Sequence, residues 1–216
     1  MPTVVDESPG PARPNRPEGT PYIDDDWVVS PPAGKRVRFV ERPDDPDSDP
    51  LRFEMWLAAE SSHGPMKHVH PEQDEFLEVV DGRMGVFHGG ETTEYGPGEG
   101  VTIPAGDVHR FWNAGETELH LRGGVDPGLR TEPFMRITYG LARDGAPVTP
   151  SGMLLNPLRL AALLDEFDDM LYLAALPVGL QRLGVTGLAP LGRLAGYDNA
   201  YPQFRADPFA ESTNTE

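Results

Sequence analysis

The stretch HGPMKHVHPEQDEFLEVVDG, residues 63–82, sets two histidines one residue apart, ahead of a proline, a run of carboxylates and a closing glycine. In a β-strand alternate side chains share a face, so His68 and His70 point the same way. Their Cα atoms then lie roughly 6.6 Å apart, a separation across which two imidazoles converge on one ion. Pro71 cannot join a hydrogen-bond ladder and favours a strand end. Glu75, Leu77 and Val79 share a face of the next strand, and a carboxylate heading an apolar face needs a partner. A cation held by His68 and His70 would be that partner. Taken alone, a His-x-His pair is more often a solvated strand face than a metal site.

A second stretch, GEGVTIPAGDVHRFWN at residues 98–113, carries Gly98, Pro104, Gly106, His109 and Asn113. Together the two segments resemble the paired motifs of the cupin superfamily. His68, His70, Glu75 and Gly82 fit the first motif, and the five residues just named fit the second. The family pattern opens with glycine six residues before the first histidine; here that position is Ser62, with Gly64 nearby. With its Leu-rich C-terminal part, the chain is similar to bacterial single-domain cupins of the quercetin-dioxygenase-like type that carry a helical extension.

The resemblance implies a jelly-roll barrel, or double-stranded β-helix, with a metal held inside by His68, His70, Glu75 and His109. Three imidazoles and one carboxylate form a borderline N/O donor set suited to one divalent Fe, Mn, Ni, Cu or Zn ion per chain. Up to two positions of an octahedral shell would stay open. Glu75 would serve as ligand and, if it swings free, as catalytic base. Phe111 and Asn113 share the parity of His109 and are expected to face the same interior. Asn113 suits either the site or a turn. Met55, Leu57, Met84 and Val86 suit either an apolar substrate pocket or the core. His63, His88 and His120 read as surface residues, and Glu72, Asp74 and Glu78 as a solvated face.

Residues around these motifs extend the reading. Short apolar runs such as KRVRFV, LRFEMWLAA, RMGVFH and ELHLRGGV alternate with Gly, Pro and Asp clusters, the pattern of an all-β sandwich or barrel. With 24 Gly and 24 Pro in 216 residues, a mainly helical fold is disfavoured. Residues 1–21 read as a flexible arm, 22–142 as the barrel, 143–205 as a helical extension and 206–216 as a frayed tail. The segment 131–142 suits strand or helix. Residues 157–176 predict one helix, with Leu160, Leu163, Leu164, Phe167 and Leu171 on an apolar face. A weaker helical pattern follows in LQRLGVTGLAPLGRLAG. The extension is expected to pack on the barrel, to cap its mouth or to join two copies in a homodimer.

A net charge of −17 argues against nucleic acid as a partner. The absence of cysteine leaves His, Asp and Glu as metal ligands. No basic start precedes an apolar run, and no apolar stretch reaches transmembrane length, so a cytoplasmic location is expected. The function expected is that of a metal-dependent oxygenase acting on a small organic molecule. Isomerase, lyase or decarboxylase chemistry, and a non-catalytic ligand-binding or metal-stabilised module, are the alternatives.

Overall fold

The computed structural model describes residues 26–59, 64–168, 170–197, 201 and 204. The expected N-terminal arm and frayed tail, and His63, lie outside these residues. The described chain is a jelly-roll β barrel with helices. Eleven strands form two antiparallel sheets. They are β1 (Trp27–Ser30), β2 (Lys35–Glu41), β3 (Leu51–Leu57), β4 (His68–Val69), β5 (Asp74–Asp81), β6 (Met84–His88), β7 (Glu91–Tyr95), β8 (Gly100–Ile103), β9 (His109–Asn113), β10 (Leu119–Asp126) and β11 (Tyr172–Leu173). One sheet has the order β1-β2-β3-β10-β5-β8, the other β11-β4-β9-β6-β7.

Period-two patterning decides which face turns inward. On β3, Leu51, Phe53, Met55 and Leu57 are buried and alternate with half-exposed neighbours. Their partners across the ladder, Val125, Gly123, Leu121 and Leu119 on β10, share the same face. Gly123 lacks a side chain because the Phe53 ring fills that space, a Cβ there lying 2.5 Å from Phe53 Cε2. Gly64, two residues from the motif departure at Ser62, is a second enforced glycine. Its φ is +51° and a Cβ would sit 1.6 Å from the Phe111 carbonyl oxygen.

Among the described residues three helical elements follow the barrel strands: α1 (Thr131–Arg143), α2 (Pro157–Leu164) and α3 (Val178–Leu194). The ambiguous segment is therefore helical. Met135 of α1 joins the barrel core, whereas Ile137 and Leu141 enter a second cluster with Leu163, Phe167 and Met170. The Asn156 side chain caps α2 by accepting from the Leu158 and Arg159 amides, with Pro157 in the first turn.

The single helix expected over 157–176 is not formed. It ends at Leu164, and the chain instead contributes β11, which pairs with the histidine-bearing β4. The physical reason lies in Asp165, Glu166 and Asp168, whose charge opposes the negative end of the helix dipole. Leu163 and Phe167 of the expected apolar face are buried, but Leu160, Leu164 and Leu171 are half-exposed at a cavity wall. The weaker pattern is the longer helix. α3 runs 17 residues despite its glycines and Pro190. Tertiary packing overrides propensity there: at Gly192 a Cβ would meet the Leu158 carbonyl at 2.4 Å, so the α2–α3 crossing depends on close backbone approach. The outer side of α3 leaves Leu183 and Leu194 69% and 85% exposed. Among the described residues, no helix is long and apolar enough to cross a membrane.

Candidate metal centre

Three strand positions and the residue just after β4 bring the site together from both sheets. His68 and His109 are direct partners across the β4–β9 ladder, and His70 follows at the end of β4. Glu75 comes from the other sheet, opposite Val125 and Ile103. One ligand atom from each of His68, His70, Glu75 and His109 lies within 4.8 Å of all the others, and all four residues are buried. His68 Nε2 stands 3.2 Å from His70 Nε2, and His109 Nε2 stands 2.7 Å from Glu75 Oε2.

Backbone carbonyls determine what these atoms are. His68 Nδ1 lies 2.8 Å from the Met66 oxygen, His70 Nδ1 2.8 Å from the Met170 oxygen, and His109 Nδ1 2.9 Å from the Asp107 oxygen. A carbonyl oxygen only accepts, so each Nδ1 carries the proton and donates it. In its neutral form each imidazole then presents its Nε2 lone pair to the centre. Two facing lone pairs at 3.2 Å cannot bond to each other, and Glu75 Oε2 and His109 Nε2 are buried without a well-aligned hydrogen bond. An electron-rich cluster of this kind is satisfied by a cation, and its N/O donors fit a divalent Fe, Mn, Ni, Cu or Zn ion.

Electrostatics without an ion point the same way. Burial, reinforced by neighbouring His70, lowers the His68 pKa to about 3, and burial also lowers that of His70. Both remain neutral and available as ligands. Burial alone would lower His109, but the adjacent Glu75 carboxylate outweighs it and raises the pKa. Burial would likewise raise Glu75, but His109 and the other imidazoles outweigh it and lower the value. A proton on His109 thus occupies the role that a metal would take.

The centre opens on a cavity of about 250 Å³ whose wall is mainly apolar. Met55 and Phe111 line it, together with His68, His70 and Glu75. Leu57, Met84 and Val86 do not; they are packed in the core. Asn113 does not reach the cavity either. Its amide donates to the carbonyls of Leu57, Ala58 and Thr117, and its oxygen accepts from the Gly115 amide. It is a turn-bracing residue, because every polar atom of its side chain is committed to backbone. His88 pairs with Asp107 at 2.9 Å, and half-buried His120 stacks on Trp56 with ring centroids 4.4 Å apart, so neither is a free surface group.

The contribution of the C-terminal part had no sequence signal. The Met170 carbonyl orients His70 across 100 residues, and Met170, Leu171 and Leu173 line the cavity. A backbone acceptor carries no residue-type signature, which is why motif reading missed it. Lys35 is recognisable as an inward position on β2 only once the register is known.

Residues 54–122 match the family model described as Cupin domain. The chain is similar to polyketide synthase CurC of Streptomyces cyaneus, 40% identical over 61 residues that make up 28% of this chain and 40% of that protein. It is also similar to oxidoreductase iacF of Pestalotiopsis fici, 28% identical over 138 residues, 60% of this chain and 68% of that protein. The match therefore spans about two fifths of the length of CurC. Among solved structures, KdgF from Halomonas sp. is 21% identical with a TM-score of 0.38, covering 50% of this chain and 94% of that one. Residues 54–122, which bear the whole His/Glu cluster, are a cupin domain.

Proposed function

We propose that this chain is a metal-dependent cupin oxygenase acting on a small, mainly apolar organic molecule. The observation that carries the reading is the convergence of three imidazoles and one carboxylate, of which His68, His70 and Glu75 line a mainly apolar cavity of about 250 Å³. A structural ion needs a closed cage; this donor set instead faces a space large enough for a substrate. When bound, a divalent transition ion supplies Lewis acidity and, if redox-active, one-electron chemistry.

The chain's own groups do the rest. His68, His70 and His109 hold the ion, and the Met66, Met170 and Asp107 carbonyls fix their tautomers. Glu75 acts as fourth ligand and, on release, as acceptor for a substrate proton. The apolar wall formed by Phe53, Met55, Phe111 and Leu164 excludes water and holds the substrate body. The name of iacF, an oxidoreductase, supports redox chemistry. That of CurC, a polyketide synthase, favours a polyketide-like substrate and, as a second reading, a redox-neutral ring closure or isomerisation.

Full-length protein purified without chelator or nickel resin is analysed for metal. Oxygen uptake is then followed with phenolic and 1,3-dicarbonyl compounds. Bound transition metal and substrate-dependent uptake are expected. Metal-free protein, or metallated protein whose spectrum and oxygen uptake respond to no compound, would overturn the oxygenase reading. Product formation without oxygen uptake would select the redox-neutral one.

A further inference from the structure

Lys35 is one of only two lysines in the chain, and it is buried, with 8% of its surface exposed. It opens β2 on the same inward face as Val37 and Phe39. Through the ladder Lys35↔Leu57↔Leu119 it shares the face of the sheet that carries Glu75, which lies at the other end, at Val125↔Leu51. Lys35 lines one cavity with three of the metal-binding residues, His68, His70 and Glu75, and Val125, Phe53 and Met55 line it too. Among the described residues its ammonium forms no ion pair, and its hydrogen bond is to the Ser151 carbonyl at 2.8 Å. An ammonium has three donors, so two remain for a ligand.

Other polar side chains of the wall are already engaged. Thr131 accepts from Gln73, Thr138 donates to the Phe134 carbonyl, and Gln181 bonds the backbone of Leu173 and Leu176. Glu75, the acidic member of the wall, is committed to the His109 side. Tyr139, whose phenol is held neutral because burial raises its pKa, lines the same space. A cationic group is thus maintained in an apolar chamber with no counter-charge of its own, which is unfavourable unless a ligand supplies one.

We propose that Lys35 is a specificity-determining residue that recognises an organic carboxylate, so that the ligand is an apolar molecule with its anionic group at Lys35 and its body toward the metal-binding residues. This rests on the reading of the cavity as a substrate site. The test is calorimetric titration of the zinc-loaded full chain with 2-naphthoate and its neutral near-isostere 2-naphthamide. Naphthoate should bind about tenfold more tightly. In Lys35→Met that preference should shrink to roughly twofold or less with naphthamide affinity unchanged, and Lys35→Arg should retain it.

Equal binding of the two compounds by the wild type, or binding of neither, overturns the proposal whatever the variants do. Equal weakening of both compounds in Lys35→Met also overturns it, because that is the signature of a lysine that merely holds the Ser151 loop. A preference that survives Lys35→Met but disappears after chelation makes the metal the anion receptor. That result sinks the role of Lys35 while leaving the proposed function standing, since the latter is judged by metal content and oxygen uptake.

Discussion

The barrel strands from Trp27 to Asp126 and the segment from Thr131 to Leu194 share one cavity but are built on different physics. In the barrel, alternation of apolar and polar residues along β3, β5, β9 and β10 sets the inward face, and the ligands are side chains at strand positions. In the C-terminal segment the helices are interrupted, α3 carries glycines and Pro190, and the contribution to the metal centre is a main-chain carbonyl. One region supplies the chemistry. The other completes its enclosure and fixes the orientation of His70. The contrast teaches that a metal centre can depend on a region that contributes no ligand to it.

The largest test of that division is His109→Ala or His68→Ala. Bound metal should fall to roughly a tenth of wild type or less, measured by elemental analysis, with helix content by circular dichroism retained. Unchanged stoichiometry would refute the ligand set. A companion measurement concerns protons. His109 is the imidazole whose pKa is raised, so it is charged in the metal-free protein below that raised value, whereas His68 and His70 are neutral. Adding zinc to metal-free protein in weak buffer on the acidic side of neutrality should release about one proton per chain, and affinity should rise with pH. Release of about three would mean that His68 and His70 are protonated too.

Next in size is Phe167→Ala. Phe167 is fully buried and stacks edge-on with Phe134, ring centroids 5.4 Å apart. Denaturant unfolding should show a loss of about 3–5 kcal/mol. If the C-terminal segment orients His70 as described, metal affinity should fall about tenfold or more as well. Loss of stability with unaltered metal affinity would separate the two regions that share the cavity.

Lys35→Met probes the boundary between them. Burial lowers the Lys35 pKa from 10.5 to about 8. Between those values the unfolded chain binds more protons than the folded one, so wild-type stability should rise as pH increases from about 8 to about 10.5. Below about 8 the full penalty of a buried ammonium applies. Lys35→Met should therefore stabilise the protein at pH 7 by about 1–2 kcal/mol, after loss of the Ser151 bond, and abolish that alkaline rise. A destabilised variant at pH 7 would contradict the account. The smallest effect belongs to Arg83→Ala, which removes an exposed ion pair to Glu94 at 3.2 Å and should cost about 0.5 kcal/mol or less.

Much of the barrel was legible because its determinants are local or periodic. His68 and His70 share a strand face, Glu75 heads an apolar one, and glycines and prolines mark the turns. Asn113 shows where parity stops: it faces inward as its spacing requires, yet its partners are the carbonyls of Leu57, Ala58 and Thr117. The helix expected through Leu176 failed for a related reason. Apolar spacing continued past Leu164, but charge at the helix end and pairing of Tyr172 with Val69 prevailed.

By itself the sequence determined a mainly β fold of short strands, because side-chain period is written residue by residue, and its resemblance to the paired cupin motifs singled out His68, His70, Glu75 and His109. Only the tertiary structure decided that the Met170 carbonyl holds His70, that Leu57 and Met84 belong to the core while Met55 meets the cavity, and that Lys35 stands in the same chamber as His68, His70 and Glu75. Those facts depend on strand register and on where residues distant in the chain come to rest. Neither is encoded in any local pattern.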